Sequence, residues 1–287
     1  MLALTLFCPA KVNLFLHLCG QRSDGYHELQ TLFCLLNWGD TLDIDLQGTT
    51  NQCVIEGVPK IKLEDNLIFR AVQLLQKAVG QHLPGLKFTL HKHIPMGAGL
   101  GGGSSNAAAC LLGLNQLLHL NLSNRQLLEL GAQLGADVPV FIQQQHAFAE
   151  GIGEKLTAVT LEPLFFILAL PKVSVNTADA FKSPKLERRH PKLTMTEQLH
   201  HVVQHNHFEL PIRHIYPPID HCFKLLAASS PPHIKPRLSG TGSSVFLVFE
   251  QQQQAVATFA KLQQQVLPFA IKSLQLYQRP TLTTSLT

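Results

Sequence analysis

The sequence predicts an α+β fold in two domains, the first of which has a mainly antiparallel sheet. The chain has 287 residues, enough for one large domain or two of ordinary size with a substantial core. Strand-like segments in the first half alternate apolar with polar residues, as in antiparallel sheets that are covered on one side. A doubly wound parallel sheet, whose strands would be apolar throughout, is therefore disfavoured.

The first two strands show this alternation clearly. In one, Val12, Leu14, Leu16 and Leu18 share a face. Lys11 and Asn13 lie two residues apart and point to the opposite face, so we expect a half-buried strand with a polar side. The second strand repeats the pattern, with apolar residues at 42, 44 and 46.

Two helices and a hairpin follow in the first half. A cap residue at Asp65 precedes helical periodicity to residue 75, and a second helix extends from a Ser123 cap to a terminal glycine at 135. Asp137 therefore lies just beyond a helix end, where an aspartate is often only a turn former. Residues 151–155 resemble a hairpin turn. We place the domain boundary after it, with domains at 1–157 and 158–287.

The second half is less regular. Apolar strands are predicted at 164–170 and 245–249, a helix after the glutamines at 251–254, and a last strand at 269–277. Periodicity is weak over 182–217. Four histidines occur there, and the pattern favours an exposed polar helix over a metal site, because no further ligand is evident. They are His200, His201, His205 and His207.

Composition narrows the classes of function. A net charge of +4 and a pI near 8.7 do not by themselves indicate nucleic-acid binding. No run approaches the roughly 20 apolar residues of a membrane span. The six cysteines show no C-x-x-C pair and are expected to be reduced thiols, and the N-terminus lacks the basic region of a signal peptide. These features predict a cytoplasmic protein without nucleic-acid or membrane partners.

Residues 95–106 form the most informative segment of the chain. Five of the seven positions from 97 to 103 are glycine, and Ser104, Ser105 and Asn106 precede a predicted helix as possible N-cap residues. Glycine-rich backbone at a helix N-terminus is typical of a phosphate site. A Walker A loop is excluded because no lysine lies between 97 and 105. The dinucleotide-binding pattern fails because no acidic residue follows until Glu129.

The remaining pattern, P-x-G-x-G-L-G with two serines, resembles the phosphate loop of the GHMP small-molecule kinases. Three further segments resemble motifs of that family in the same order: 9–16, 135–141 and 239–246. Residues 20–33 resemble the signature of the members that phosphorylate 4-diphosphocytidyl-2-C-methyl-D-erythritol. The resemblance extends from residue 8 to about 250.

This resemblance implies a GHMP kinase fold, with an N-terminal ATP-binding domain and a ferredoxin-like C-terminal domain. It also implies ATP as co-substrate, Mg²⁺, and transfer of a phosphoryl group to the 2-hydroxyl of that conjugate in isoprenoid precursor biosynthesis. Asp137 would be the base and Lys11 would favour the alkoxide form of the hydroxyl. The ATP-binding residues would be Asn66, Pro95, Met96, Gly97, Ala98, Gly99, Leu100, Gly101, Gly102, Gly103, Ser104 and Ser105.

A second set of residues would hold the cytidine diphosphate conjugate. They are Asn13, Tyr26, His27, Phe33, Thr177, Phe181, Gly240, Thr241 and Gly242. In an alternative interpretation, Tyr26 and Phe181 are core aromatic residues without a role in binding. Two alternatives for the whole protein also stay open: a GHMP kinase that acts on mevalonate, homoserine or a sugar, and a non-catalytic nucleotide-binding relative. Ser104 or Ser105 is a possible Mg²⁺ ligand. Lys92 is a weaker candidate for a residue on the adenosine side of the ATP site. The protein is expected to be a monomer or weak homodimer.

Overall fold

The computed structural model describes residues 3–50, 52–58, 61–196 and 205–278. Its first half forms a six-stranded sheet in the order β3-β4-β2-β5-β6, with β1 also paired to β2. Only β3 and β4 run parallel, so the predicted antiparallel character is confirmed. The strands are β1 Ala3–Gln21, β2 His27–Thr50, β3 Cys53–Glu56, β4 Pro84–His91, β5 Ala147–Glu150 and β6 Lys155–Ala158.

Four helices cover one face of this sheet. They are α1 Leu67–Val79, α2 Gly102–Leu117, α3 Asn124–Leu134 and α4 Val138–Gln143. Their apolar sides pack with Leu42, Ile44 and Phe88 in one core. As predicted, α3 begins at Ser123, which forms a capping box with Gln126, and ends at Gly135. Gly135 has extended rather than left-handed backbone, with φ 169°.

The second half forms a four-stranded antiparallel sheet in the order β10-β7-β9-β8. The strands are β7 Phe165–Leu170, β8 Arg237–Leu238, β9 Val245–Phe249 and β10 Ala270–Gln275. Helices α5 Thr177–Lys182, α6 Glu209–Ile215, α7 Pro217–Ser229 and α8 Gln252–Gln263 accompany them. One face of the sheet packs with α6, α7 and α8 through Ile212, Phe223 and Leu262. The predicted fold class is confirmed. The predicted division after residue 157 falls one residue before the end of β6 and stays a prediction.

The prediction of a half-buried β1 was wrong. Lys11 and Asn13 are only 3% and 2% exposed. Helices pack on one side of the first sheet, and the second sheet packs on the other, where Val12 and Leu14 contact Phe166 and Phe246. Alternation in the sequence shows which face of a strand is polar, but it does not show which other elements of the fold cover that face. The polar face of β1 is therefore the interior of a site rather than a solvent-exposed surface.

The predicted exposed helix over the histidines also needs correction. His200 and His201 lie outside the described residues. His205 and its neighbours instead run beside β1, with Asn206 bridged to Leu16, and His207 is buried. Within the described part of the chain, no helix is long and apolar enough to cross a membrane.

Candidate active site

The glycine loop adopts a backbone that only glycine tolerates well. Gly97, Gly99 and Gly101 have φ of 65°, 73° and 69°, in the left-handed region. A Cβ on Gly99 would lie 2.1 Å from the carbonyl oxygen of Ser239. The loop therefore leaves β4 in a tight path that brings its backbone against the second glycine motif.

Helix α2 begins directly after this loop, at Gly102. This start lies before the three residues predicted as possible N-caps, Ser104, Ser105 and Asn106. Gly101 is the N-cap, so the amides of Gly102, Gly103 and Ser104 form the first turn and have no acceptor within the helix. Ser105 is placed differently from the prediction: its amide donates to Gly101 O at 2.9 Å and its hydroxyl is buried. Three amides and the positive end of a 16-residue helix thus face the loop.

A buried carboxylate that the sequence did not reveal holds this loop in position. Asp40 on β2 is fully buried, and its Oδ1 accepts from the amides of His93 and Ile94 at 2.7 and 2.8 Å. Its Oδ2 accepts from Asn106 Nδ2 at 3.0 Å and pairs with Lys92 Nζ. The carboxylate therefore joins the end of β4 to the first turns of α2. No local sequence signal distinguishes Asp40 from an ordinary turn residue.

A cavity of about 350 Å³ opens in front of these amides. Its wall combines the loop with Asn66, Lys92 and an apolar side that includes Leu67 and Leu90. Asn66 caps α1, because its Oδ1 accepts from Ile68 N at 2.9 Å. All of the predicted ATP-binding residues except Ser105 line this cavity: Asn66, Pro95, Met96, Gly97, Ala98, Gly99, Leu100, Gly101, Gly102, Gly103 and Ser104.

Lys11 and Asp137 meet across the domain interior although 126 positions separate them. Lys11 Nζ lies 3.2 Å from Asp137 Oδ2 and donates to Asn13 Oδ1 at 2.7 Å. Asn13 in turn donates to the Thr31 hydroxyl at 2.8 Å. Asp137 is the N-terminal residue before α4, yet its side chain does not cap that helix. One carboxylate oxygen is therefore held by the lysine, and the side chain remains partly exposed, at 33%.

This pair lies in a second cavity, of about 310 Å³. The two cavities share Gly97, Gly99 and Gly101, so they meet along the glycine loop. The second cavity contains most of the predicted substrate residues together with both predicted catalytic residues. They are Lys11, Asn13, Phe33, Asp137, Thr177, Phe181, Gly240, Thr241 and Gly242. Thr31 and Phe208 also line it and were not predicted.

The C-terminal glycine motif closes this cavity from the second sheet. Ser239 Oγ donates to Gly99 O at 2.9 Å, and Ser244 N donates to Ala98 O at 3.1 Å. The hydroxyls of Thr177 and Thr241 lie 3.0 Å apart. Two glycine loops from different sheets therefore contact each other directly and place hydroxyl groups beside the cavity.

The aromatic residues divide into two groups. His27 packs on Phe181 with ring centroids 5.0 Å apart, and Phe181 meets Phe208 edge to face at 4.8 Å. Burial, with the positive charge of Arg188, lowers the pKa of His27 below its ordinary value. Its buried Nε2 has no hydrogen-bond partner among the described residues. Tyr26, by contrast, is 61% exposed in a turn. Neither Tyr26 nor His27 lines the cavity, so of these three predicted residues the structure brings only Phe181 to it.

Comparison with known proteins places this geometry in a family. Residues 66–145 match the model of the GHMP kinases N terminal domain. The 4-diphosphocytidyl-2-C-methyl-D-erythritol kinase of Pasteurella multocida is 42% identical over 93% of this chain and 88% of its own. That of Vibrio cholerae is 44% identical over 91% and 88%. This chain belongs to the 4-diphosphocytidyl-2-C-methyl-D-erythritol kinase family. The predicted resemblance to the GHMP kinases is confirmed.

A solved structure agrees with family membership. The crystal structure of a 4-(cytidine 5'-diphospho)-2C-methyl-D-erythritol kinase superposes with a TM-score of 0.79 at 29% identity, covering 96% of this chain and all of that one. Members of this family are ATP-dependent small-molecule kinases, and this protein is one of them. The alternative of a non-catalytic nucleotide-binding relative is thereby excluded.

Proposed function

We propose that this protein transfers the γ-phosphoryl group of ATP to the 2-hydroxyl of 4-diphosphocytidyl-2-C-methyl-D-erythritol. The observation that carries the proposal is the Lys11–Asp137 pair, which lies where a substrate cavity meets a glycine-rich nucleotide cavity. The relatives named above supply the identity of the acceptor. The chemistry of this chain's own residues supplies the mechanism.

Asp137 is the proposed general base. Its carboxylate accepts the proton of the attacking hydroxyl, a role that contributes about 10²–10⁴-fold to the rate. The Lys11 ammonium, 3.2 Å away, stabilises negative charge that develops on the same oxygen. Asn13 and Thr31 hold the ammonium in place through consecutive hydrogen bonds. The deprotonated oxygen then attacks the γ-phosphorus in line, and ADP leaves toward the nucleotide cavity.

The phosphates are proposed to bind at the N-terminus of α2. The first-turn amides of Gly102, Gly103 and Ser104 donate to phosphate oxygens, and the helix dipole favours their negative charge. The Ser104 hydroxyl lines the cavity and is a hard oxygen donor of the kind that Mg²⁺ accepts beside phosphate oxygens and water. When bound, Mg²⁺ neutralises charge on the transferred phosphate.

Substrate selection is proposed to rest on the aromatic wall. Phe181 lines the cavity and offers a ring for stacking, and His27 packs against that ring. Stacking of a base on an aromatic side chain contributes about 1–3 kcal/mol. Thr177 and Thr241 provide hydroxyls for the phosphate or polyol part of the substrate. We place the activity in the cytoplasm, since all six cysteines are free thiols.

An ADP-release assay on the purified protein tests the proposal. With ATP and Mg²⁺, we expect turnover of the cytidine conjugate and at least about 100-fold lower kcat/KM for mevalonate and homoserine. Product analysis by ³¹P NMR should show a new monoester on the 2-hydroxyl carbon. Equal turnover of all three acceptors, or none of the conjugate by folded protein, would refute the assignment.

A further inference from the structure

Four histidine rings from three separate segments of the chain meet behind the substrate cavity. His17 comes from β1, His190 from the segment after α5, and His205 and His207 from the segment before α6. The His17 ring centroid lies 4.1 Å from that of His190, 4.8 Å from His205 and 5.1 Å from His207. His205 and His207 are 5.0 Å apart. No step of the proposed reaction uses these four side chains.

The arrangement is close to that of a metal centre. His17, His205 and His207 each present one ring nitrogen within 4.8 Å of those of the other two. Tetrahedral zinc with imidazole ligands at 2.0–2.1 Å separates neighbouring nitrogens by about 3.4 Å. Small rotations of the three rings close that difference. His17 is fully buried and His207 is 5% exposed, whereas His205 is partly exposed.

Neighbouring groups orient the rings as they do around bound metals. His207 Nε2 is buried without a hydrogen-bond partner among the described residues. His207 Nδ1 lies 3.2 Å from the Glu187 carbonyl and 3.0 Å from the Leu18 amide. The Leu18 amide donates to Nδ1, so Nε2 becomes a metal ligand only when the ring proton moves to Nδ1, where it donates to Glu187 O in place of that bond. The Glu187 carboxylate, 3.9 Å from Nε2, adds negative charge.

We propose that His17, His205 and His207 bind a divalent transition-metal ion that prefers imidazole ligands, of which Zn²⁺ is the principal example. His190 stacks on the His17 ring, with centroids 4.1 Å apart, and so helps to hold that ligand in place. The ion joins β1 to the segment that carries Phe208 and so fixes one wall of the cavity. This inference does not depend on the identity of the substrate.

Metal binding is measured on the full chain, purified without metal and assayed without ATP or Mg²⁺. Titration with Co²⁺ should give one ion per chain and the visible absorption of a tetrahedral nitrogen site, which Zn²⁺ then displaces. Zn²⁺ at 100 times its Kd should stabilise the fold by about 2.7 kcal/mol, seen as a higher Tm. His205→Gln should lose the absorption and the Tm shift.

His221→Gln, an exposed histidine of α7, is the matched control and should behave as wild type. His190→Gln should lower the affinity about 10–100-fold, as removal of a supporting group does. Folding of each variant is checked by circular dichroism before titration. Folded wild type that shows neither Co²⁺ absorption nor a Zn²⁺-dependent Tm shift overturns the proposal, as does His205→Gln that binds like wild type. Either result would mean that the four rings only pack as neutral side chains.

Discussion

The two cavities that meet at the glycine loop are constructed differently. The nucleotide cavity takes most of its wall from one unbroken stretch, residues 95–104, with a few side chains from α1 and β4. The substrate cavity collects single residues from β1, β2, α5, the turn before α4 and both glycine motifs. The first is a product of local backbone conformation. The second exists only because two sheets pack against each other.

Both cavities nevertheless depend on a buried polar side chain that is distant in the sequence. Asp40 holds the first glycine loop through two backbone amides. On the other side, Asn206 Nδ2 donates to the carbonyls of Leu238 and Gly240, and Glu209 accepts from Leu238 N. A glycine-rich loop gains freedom of backbone at a cost in conformational entropy, and these fixed hydrogen bonds offset that cost.

The largest effect is expected where the two cavities meet. Asp137→Asn cannot accept the hydroxyl proton, so kcat should fall about 10²–10⁴-fold while the fold and ATP binding persist. Steady-state kinetics and ATP calorimetry on the same preparation measure both quantities. Turnover near the wild-type rate would show that Asp137 only supports the turn before α4.

On the nucleotide side, Asp40→Asn should destabilise the protein by about 3–5 kcal/mol. It leaves Lys92 without its buried partner. Asp43→Asn, on the same strand but paired at the surface with His91, is the matched control and should cost about 1 kcal/mol or less. Urea denaturation gives both values. Equal small losses would remove Asp40 from its proposed bracing role.

On the substrate side, the contribution of Glu209 to the free energy of unfolding should depend on pH. Burial raises the pKa of Glu209 to about 7, from 4.5. A raised carboxyl pKa stabilises the fold fully below 4.5, and this stabilisation is lost as pH rises through 7. Glutamine does not titrate, so the unfolding free energy of Glu209→Gln relative to wild type should rise by about 2.5 kcal/mol between pH 5 and 8. Exposed Glu250→Gln is the matched control for loss of a carboxylate. A difference for Glu209→Gln that does not change with pH would contradict this expectation.

Phe181→Ala should affect only one of the two cavities. The lost stacking should cost about 1–3 kcal/mol of binding free energy. The kcat/KM for the cytidine conjugate should therefore fall roughly ten- to hundredfold, with KM for ATP nearly unchanged. Tyr26→Ala is the control, since that ring is exposed outside the cavity. Because Phe181 also packs on Phe208, Tm is measured in parallel. A loss of stability with equal changes in both KM values would identify a packing role alone.

The smallest effect is expected at the first turn of α2. Gly103→Leu places a side chain at the nucleotide cavity, and its Cβ would meet only Leu67 Cδ1, at 3.4 Å. The Kd for ATP should rise about tenfold, or 1.4 kcal/mol, with little change in Tm. Gly99→Ala is the contrasting variant, because its Cβ collides with Ser239 O and should lower Tm. An unchanged ATP Kd for Gly103→Leu would place the phosphates elsewhere.

The sequence by itself determined the elements whose cause is local. The glycine loop, the cap at Ser123 and the hairpin at 151–155 follow from backbone preferences within a few residues. The order of the motifs also indicated the family and the position of Asp137 beyond a helix end. The residues that line the first cavity were therefore largely predictable, apart from the start of α2, which glycine at the N-cap moves forward to residue 102. That they bind ATP stays a prediction.

Only the tertiary structure decided the rest. Alternation in β1 showed which residues share a face, but the second sheet covers the apolar face, and segments of both halves enclose Lys11 and Asn13 on the other. The bracing of the loop by Asp40, and the meeting of His17 with His205 and His207, join residues up to 190 positions apart. Such contacts leave no periodicity in the chain, because they are fixed by the packing of distant segments and not by the backbone preferences of neighbours.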